Sequence, residues 1–440
     1  MRAGSKGRVR AALSFAFALA AAAPAQADTL QDALVGAYRN NPNLEDARLG
    51  VRAAREDRVQ AFSAYLPRLE VFANAGDRES DIEDPGNPFP PSRRVERELS
   101  PTTSTGQLTQ DLYTGGRRGA QMRLASAGLD GARSGLRATE QDVLLAALQA
   151  YVNVRRDEEV LRLRQAYVEG LRRQVSGARR RLEVGEVTRT DLAQAQSRLA
   201  GARANLAGAE AALETSRARY AEVIGAEPRD LAPPPAAPEP PANLQDAIAM
   251  AEARHPELEQ ARDAVRAARA RVGLERSALL PQVSLVGRWS RYEEQDAVGV
   301  VEEDQVAMAQ LSVPLFEGGY AWSRTRQGRI NVERAEALVE AQRRAVSTDV
   351  LSSWTALRAS SEIVAAAHEQ SEAAEEAWRG AEREHGLGLR STIEVLDAEL
   401  EWRQAQIAQA RVEADAYIAA YALQSAIGAL SYEGLGLAAR

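Results

Sequence analysis

The chain has 440 residues, a net charge of -7, no cysteine and three histidines. Without cysteine it cannot form disulfides, use a reactive thiol or carry a cysteine-linked lipid anchor, and three scattered histidines do not suit a metal site. The mild charge is spread along the chain, which argues against nucleic acid as a partner, and no nucleophile–base pair or phosphate-binding loop indicates an enzyme or a cofactor.

The first 27 residues have the pattern of a secretory signal peptide. Basic residues precede an apolar run over 11–23, and Ala25-Gln26-Ala27 fits the small-x-small cleavage pattern. This run is too short and too rich in alanine to serve well as a membrane anchor, so we expect it to be removed rather than retained. The mature chain should begin near Asp28.

Two helices and a strand are predicted next. Asn41 is suited to an N-cap and Pro42 to the first position of the helix that follows it. Beyond Pro67, apolar and polar residues alternate as they do in a half-buried strand. We therefore predict helices over 29–41 and 43–65 and a strand over 68–76.

A loop, a returning strand and two long helices complete this part of the chain. The segment 77–105 is rich in proline, glycine and charge, and we interpret it as a loop. Gly115-Gly116 then separates a strand from a proline-free stretch of apolar residues at three- and four-residue steps. The predicted elements are a strand over 106–113, a helix over 117–183 of about 100 Å, and a return helix over 191–224.

The second half of the chain repeats the first. Residues 29–71 align without a gap with 243–285, and the segment DLYTGG at 111–116 aligns with PLFEGG at 314–319. The predicted organisation is a signal peptide (1–27), a first repeat (28–225), a proline-rich linker (226–243), a second repeat (244–430) and a short tail (431–440). The second repeat is expected to hold helices 244–254 and 257–280, strands 282–292 and 304–315, a long helix 320–385 and a helix 391–428.

Four strands cannot close a membrane barrel, because unpaired strand edges are not tolerated in lipid. An oligomer in which each protomer contributes four strands solves this problem. Two protomers would supply eight strands and three would supply twelve, and only the wider ring leaves an open lumen.

The chain resembles the TolC family of outer-membrane efflux and secretion channels over essentially its whole mature length. The resemblance rests on NNPNL (40–44) and its echo HPEL (255–258), on LPRLEV and LPQVSL before the strands, on LYTGG and LFEGG after them, and on GLGLRSTIEVLDAE (386–399). It implies a mixed α and β membrane protein in which long antiparallel coiled-coil hairpins and two β-hairpins close into a twelve-stranded barrel only in a homotrimer. The resemblance also implies insertion in outer-membrane lipid, a long periplasmic extension, and two protein partners, a periplasmic adaptor and an inner-membrane transporter, ABC-type or proton-driven.

The resemblance further implies a gate at the periplasmic end of the hairpins. Its residues would be Glu394 and Asp397 as a ring of carboxylates in the pore, Arg390 as a latch to Asp191 and Thr190, and His385 in place of a family tyrosine. Two simpler interpretations stay open. Carboxylates in a first helical turn are ordinary complements of the helix dipole, and an arginine at a turn is often only solvated.

The turns at the far ends of the hairpins are the predicted docking tips for the adaptor; the alternative is that they are simply tight turns. Each has a glycine where a helix end needs a positive φ. The residues concerned are Val184, Gly185, Val187, Leu387, Gly388 and Leu389.

We therefore expect an outer-membrane exit duct of a tripartite export system that passes proteins, as in type I secretion, or small molecules such as drugs. A soluble periplasmic coiled-coil structural or adaptor protein is the alternative, although a soluble rod has no reason to contain two matched β-hairpins.

Overall fold

This computed structural model describes residues 28–84 and 93–437. The predicted signal peptide and the last three residues of the predicted tail lie outside that part of the chain. The helices are α1 (Leu30–Asn40), α2 (Pro42–Ser63), α3 (Arg117–Glu183), α4 (Arg189–Ile224), α5 (Leu244–Arg254), α6 (Pro256–Ser277), α7 (Tyr320–Gly386) and α8 (Thr392–Ala426). The strands are β1 (Arg68–Ala75), β2 (Arg78–Asp84), β3 (Arg93–Leu99), β4 (Thr102–Thr114), β5 (Gln282–Glu293) and β6 (Val301–Ser312).

The short helices begin at polar caps. Thr29 and Asp32 form a reciprocal capping box at the start of α1. The side chain of Asn41 accepts a hydrogen bond from the backbone N–H of Asn43, and Pro42 occupies the first turn of α2. These contacts satisfy backbone N–H groups that have no partner inside the helix.

The long helices form two antiparallel hairpins, α3 with α4 and α7 with α8. Both α3 and α7 have 67 residues, which corresponds to a length of about 100 Å. Near the sheet the neighbouring helices run in the order α2, α3, α6, α7, and toward the far turns in the order α4, α3, α8, α7. A single layer of four helices therefore extends along the molecule on both sides of its middle.

The largest hydrophobic cluster lies at this middle level. It joins α1, the centre of α3 and the end of α4 to the chain end that follows α8, with Leu144, Tyr151 and Tyr220 almost fully buried. The hydroxyl of Tyr151 donates to the carbonyl oxygens of Asp28 and Ala232, which fixes the first described residue and the linker against α3. The second repeat builds a corresponding cluster from α5, α7 and α8.

The main sheet is antiparallel throughout and has the strand order β1-β4-β5-β6. Its outer strands, β1 and β6, each have one unpaired edge in the described chain. The register places exposed apolar side chains on one face (Leu69, Val71, Leu108, Leu285 and Leu311), while Thr105, Gln107, Arg288 and Ser290 lie on the other. No helix in the described part of the chain has the length and apolarity needed to cross a membrane.

The predicted loop 77–105 is wrong for much of its length. Residues 78–84 and 93–99 are strands β2 and β3, which pair with each other in a separate two-stranded sheet, and β4 begins at Thr102 rather than at 106. An antiparallel ladder is closed by backbone hydrogen bonds and does not need an apolar face. Charged residues such as Arg78 and Glu79 gave the segment the composition of a loop, although the backbone of residues 78–84 and 93–99 is extended. Residues 85–92 of the predicted loop lie outside the described part of the chain.

Candidate functional site at the ends of the helical hairpins

The two turns between paired helices have the same backbone. Gly185 and Gly388 have φ values of +78° and +76°, a region that side chains of other residues rarely adopt. In each turn the residue after this glycine donates its backbone N–H to a carbonyl five residues earlier, in Arg181 or Glu384. The duplication therefore extends to the detailed geometry of the turns.

Exposed apolar side chains surround these glycines. Val184, Leu387 and Leu389 are 70%, 76% and 75% exposed, whereas Val187 is half-buried. Apolar groups held in water at a tight turn do not stabilise the fold of a single chain.

Asp191 and Glu394 occupy equivalent capping boxes. Asp191 Oδ2 accepts from Thr188 N and Oγ1 at 2.9 Å each, and Glu394 Oε2 accepts from Ser391 N and Oγ at 2.8 Å each. These hydrogen bonds, first those from the backbone N–H groups, lower the pKa of both carboxyls. Glu394 is exposed and Asp191 is partly exposed, and each carboxylate stabilises the start of its own helix.

Arg390 and Asp191 are not joined within the described chain. Arg390 Nε donates to Glu384 Oε2 at 2.5 Å, so the arginine is paired across its own turn. His385 Nδ1 lies 2.8 Å from the carbonyl oxygen of Arg390 and closes the same turn rather than contacting Asp191. Thr190 is exposed in the first turn of α4. The structure thus brings Arg390 and His385 together and leaves Asp191 on the other hairpin.

Asp397 has a partner that the sequence did not reveal. Arg198 Nη2 donates to Asp397 Oδ1 at 2.5 Å, which connects α4 of the first hairpin to α8 of the second. The two residues are 199 positions apart, and an arginine on a polar helix face carries no signal of so distant a contact.

A buried polar group lies two residues further along α8. Glu399 Oε2 accepts from Gln174 Nε2 of α3 at 2.9 Å, and Arg403 Nη2 lies 4.0 Å from Glu399 Oε1. The ring of Trp402 stacks on Trp378 of α7 with centroids 4.4 Å apart, and the Arg403 guanidinium lies 3.9 Å from the Trp402 ring centre. From the sequence, Glu399 and Arg403 had the spacing of an ordinary surface ion pair on a helix.

Burial sets the protonation properties of this pair. Removal from water raises the pKa of Glu399 and lowers that of Arg403, because the protein interior disfavours both charged forms. Only 5% of the Glu399 side chain is exposed.

The comparisons with known proteins agree with this architecture. The family model described as "Outer membrane efflux protein" matches residues 33–226 and 247–429, the two repeats. The chain is 31% identical over 415 residues to the outer membrane efflux protein BepC of Brucella suis, covering 94% of this chain and 88% of BepC. It is 28% identical to the alkaline protease secretion protein AprF of Pseudomonas aeruginosa, covering 82% of this chain and 76% of AprF.

The fold is also that of a solved outer-membrane channel. The CmeC channel of Campylobacter jejuni superposes with a TM-score of 0.79 over 91% of this chain and 85% of CmeC, at 16% identity. The family match confirms the resemblance inferred from the sequence motifs. The chain belongs to the outer membrane efflux protein family.

Proposed function

We propose that the chain is the outer-membrane exit duct of a tripartite export system and passes proteins or small molecules to the cell exterior. The main observation is the combination of a four-stranded sheet that has two unpaired edges with hairpins of about 100 Å. A sheet in lipid must close, and hairpins of this length suit a passage through the periplasm.

Three protomers close the sheet in this proposal. Because β1 and β6 run antiparallel in a four-stranded antiparallel order, β6 of one protomer can pair with β1 of the next in the same sense. Twelve strands result, with the face that carries Leu69, Val71 and Leu108 toward lipid and the face that carries Gln107 and Arg288 toward the lumen.

The hairpin ends bind the periplasmic adaptor, which connects the duct to an ABC-type or proton-driven transporter of the inner membrane. Support comes from the exposed side chains of Val184, Leu387 and Leu389 around two equivalent turns. A trimer presents six such tips, and their apolar groups would leave water on docking.

The same ends form the gate. Glu394 and Asp397 lie three residues apart near the start of α8, so three protomers place six carboxylates at one level of the pore. Arg390, now paired with Glu384, would have to change partner in order to bind Asp191 and Thr190 as a latch, with His385 holding the turn.

The soluble alternative has no support in the family to which the chain belongs, and it leaves the apolar face of the main sheet without a function. A soluble rod would expose that face to water at a cost in solubility.

Planar-bilayer recordings test the proposed channel and its carboxylate ring. We expect discrete cation-selective conductance, and weaker cation selectivity and divalent-ion block in the E394Q/D397N variant, because the ring loses its charge while glutamine keeps the capping box of α8. Glu401→Gln, an exposed carboxylate on the same helix, is the control. No conductance from the wild-type protein would contradict the channel, and unchanged selectivity in the double variant would place the ring elsewhere.

A further inference from the structure

One contact region connects the two hairpins of a protomer between the middle of the molecule and the turns at the far ends of the hairpins. We name it the α3–α8 seam and define it by Gln174 of α3 and by Glu399, Trp402 and Arg403 of α8. Gly170 allows the close approach there: a Cβ atom at that position would lie 3.1 Å from Glu399 Oε1. Apolar side chains of the two hairpins, including Leu171 and Leu396, pack beside the seam.

The seam is polar but incompletely hydrogen-bonded. Gln174 Oε1, Trp402 Nε1 and Arg403 Nε are buried and find no hydrogen-bond partner among the residues that the structure describes. Buried polar atoms are normally paired, so three without a protein partner in one contact region require an explanation. Each of them costs free energy while the seam is formed, and water can satisfy all of them when the helices part.

We propose that the α3–α8 seam is a weak contact between the two hairpins. Its incomplete hydrogen bonding sets how easily the hairpin ends near the turns separate and the duct opens. This inference rests on the proposed channel function. It assigns a positioning function to Gln174, Glu399 and Arg403, none of which is at the tip.

An apolar seam would hold the hairpins more tightly. Replacement of a buried ion pair by well-packed apolar side chains is often stabilising, whereas removal of one partner is destabilising because the other charge is left buried. The adjacent apolar cluster shows that Leu-type packing is available at this level of the bundle. The polar residues therefore weaken a contact that the chain could have made stronger.

The two kinds of substitution should change channel opening in opposite directions. Glu399→Ala leaves Arg403 and Gln174 without their partner, and we expect about tenfold more frequent openings in planar bilayers, equivalent to about 1.4 kcal/mol. The triple variant Gln174→Leu, Glu399→Leu, Arg403→Met packs the seam with apolar groups, and we expect about tenfold fewer openings, with normal amounts of assembled protein.

Glu401→Ala, which removes an exposed carboxylate two residues from Glu399, should match the wild type. A contact that does not control opening would leave the opening frequency unchanged in both variants, and this result overturns the proposal. A change of equal sign in the single and triple variants also overturns it, because loss of the polar pairing would then not act as proposed. If Glu399→Ala does not assemble, the triple variant decides alone, and an opening frequency at or above that of the wild type overturns it. Absence of any wild-type conductance would instead contradict the channel function.

Discussion

At the scale of single residues, the carboxylates near the hairpin turns have different partners. Asp191 and Glu394 cap their own helices, whereas Asp397 and Glu399 contact the other hairpin. The sequence predicted that Glu394 and Asp397 share a helix face, since that follows from their spacing alone. It could not predict that Asp397 pairs with Arg198 or that Glu399 is buried against Gln174, because these partners are 199 and 225 residues away. Long-range contacts depend on how the two repeats pack, which local periodicity does not encode.

The raised pKa of Glu399 predicts that opening depends on pH. The Glu399 carboxyl binds its proton more tightly when the seam is formed than when the seam is hydrated. Formation of the seam is therefore favoured as pH falls toward the ordinary glutamate pKa of 4.5, and it is weakened as pH rises through the raised pKa of Glu399. The charged groups that face Glu399 are Arg403 of α8, Arg173 of α3 and Glu382 of α7.

Single-channel recordings across this range should therefore show fewer openings at mildly acidic pH. Glu399→Gln, which cannot ionise, should remove that step. Asp191 and Glu394 titrate at lower pH because their pKa values are lowered, and they provide no step in the same range. An identical pH profile in the wild type and the variant would show that another group is responsible.

At the scale of elements, the helices follow from the sequence more closely than the strands do. The absence of proline between Arg117 and Glu183 and the glycine of the following turn indicate one helix of unusual length. The duplication indicates a second, and both α3 and α7 have 67 residues. The hairpin β2–β3 was missed because its sequence is rich in Arg, Glu and Asp and lacks a clear apolar–polar alternation; in the described chain its two strands pair with each other. Alternation reveals a strand only where one face is buried or lies in lipid.

The ends of the return helices are anchored by equivalent glycines in the two repeats, Gly225 beside Asn40 and Gly428 beside His255. Gly428 has a φ of +71°, and a Cβ atom there would lie 3.0 Å from His255 Cα. Gly428→Ala should therefore destabilise the protein by about 1–3 kcal/mol, through backbone strain and the clash with α5.

Thermal unfolding of the detergent-solubilised protein measures this effect. Gly208→Ala is a matched control, because Gly208 lies within α4 with ordinary φ and nothing within 4 Å of an added Cβ, and alanine favours the helix. Equal unfolding temperatures for the two variants would show that Gly428 does not constrain the end of α8.

At the scale of the whole molecule, the duplication explains the architecture. Each repeat contributes one β-hairpin to the main sheet and one long helical hairpin, and the sheet joins the repeats through β4 and β5. The repeats differ near the turns of their helical hairpins, where the second repeat carries Arg390, Asp397 and Glu399. In the structure, α8 of the second repeat contacts both helices of the first hairpin.

The most direct test of the exit duct is the mass of the protein purified from outer membranes in detergent, measured by native mass spectrometry. A sheet with unpaired edges at β1 and β6 requires partners, and the account predicts a particle of three mature chains that depends on detergent. A monodisperse monomer that stays soluble without detergent would contradict it.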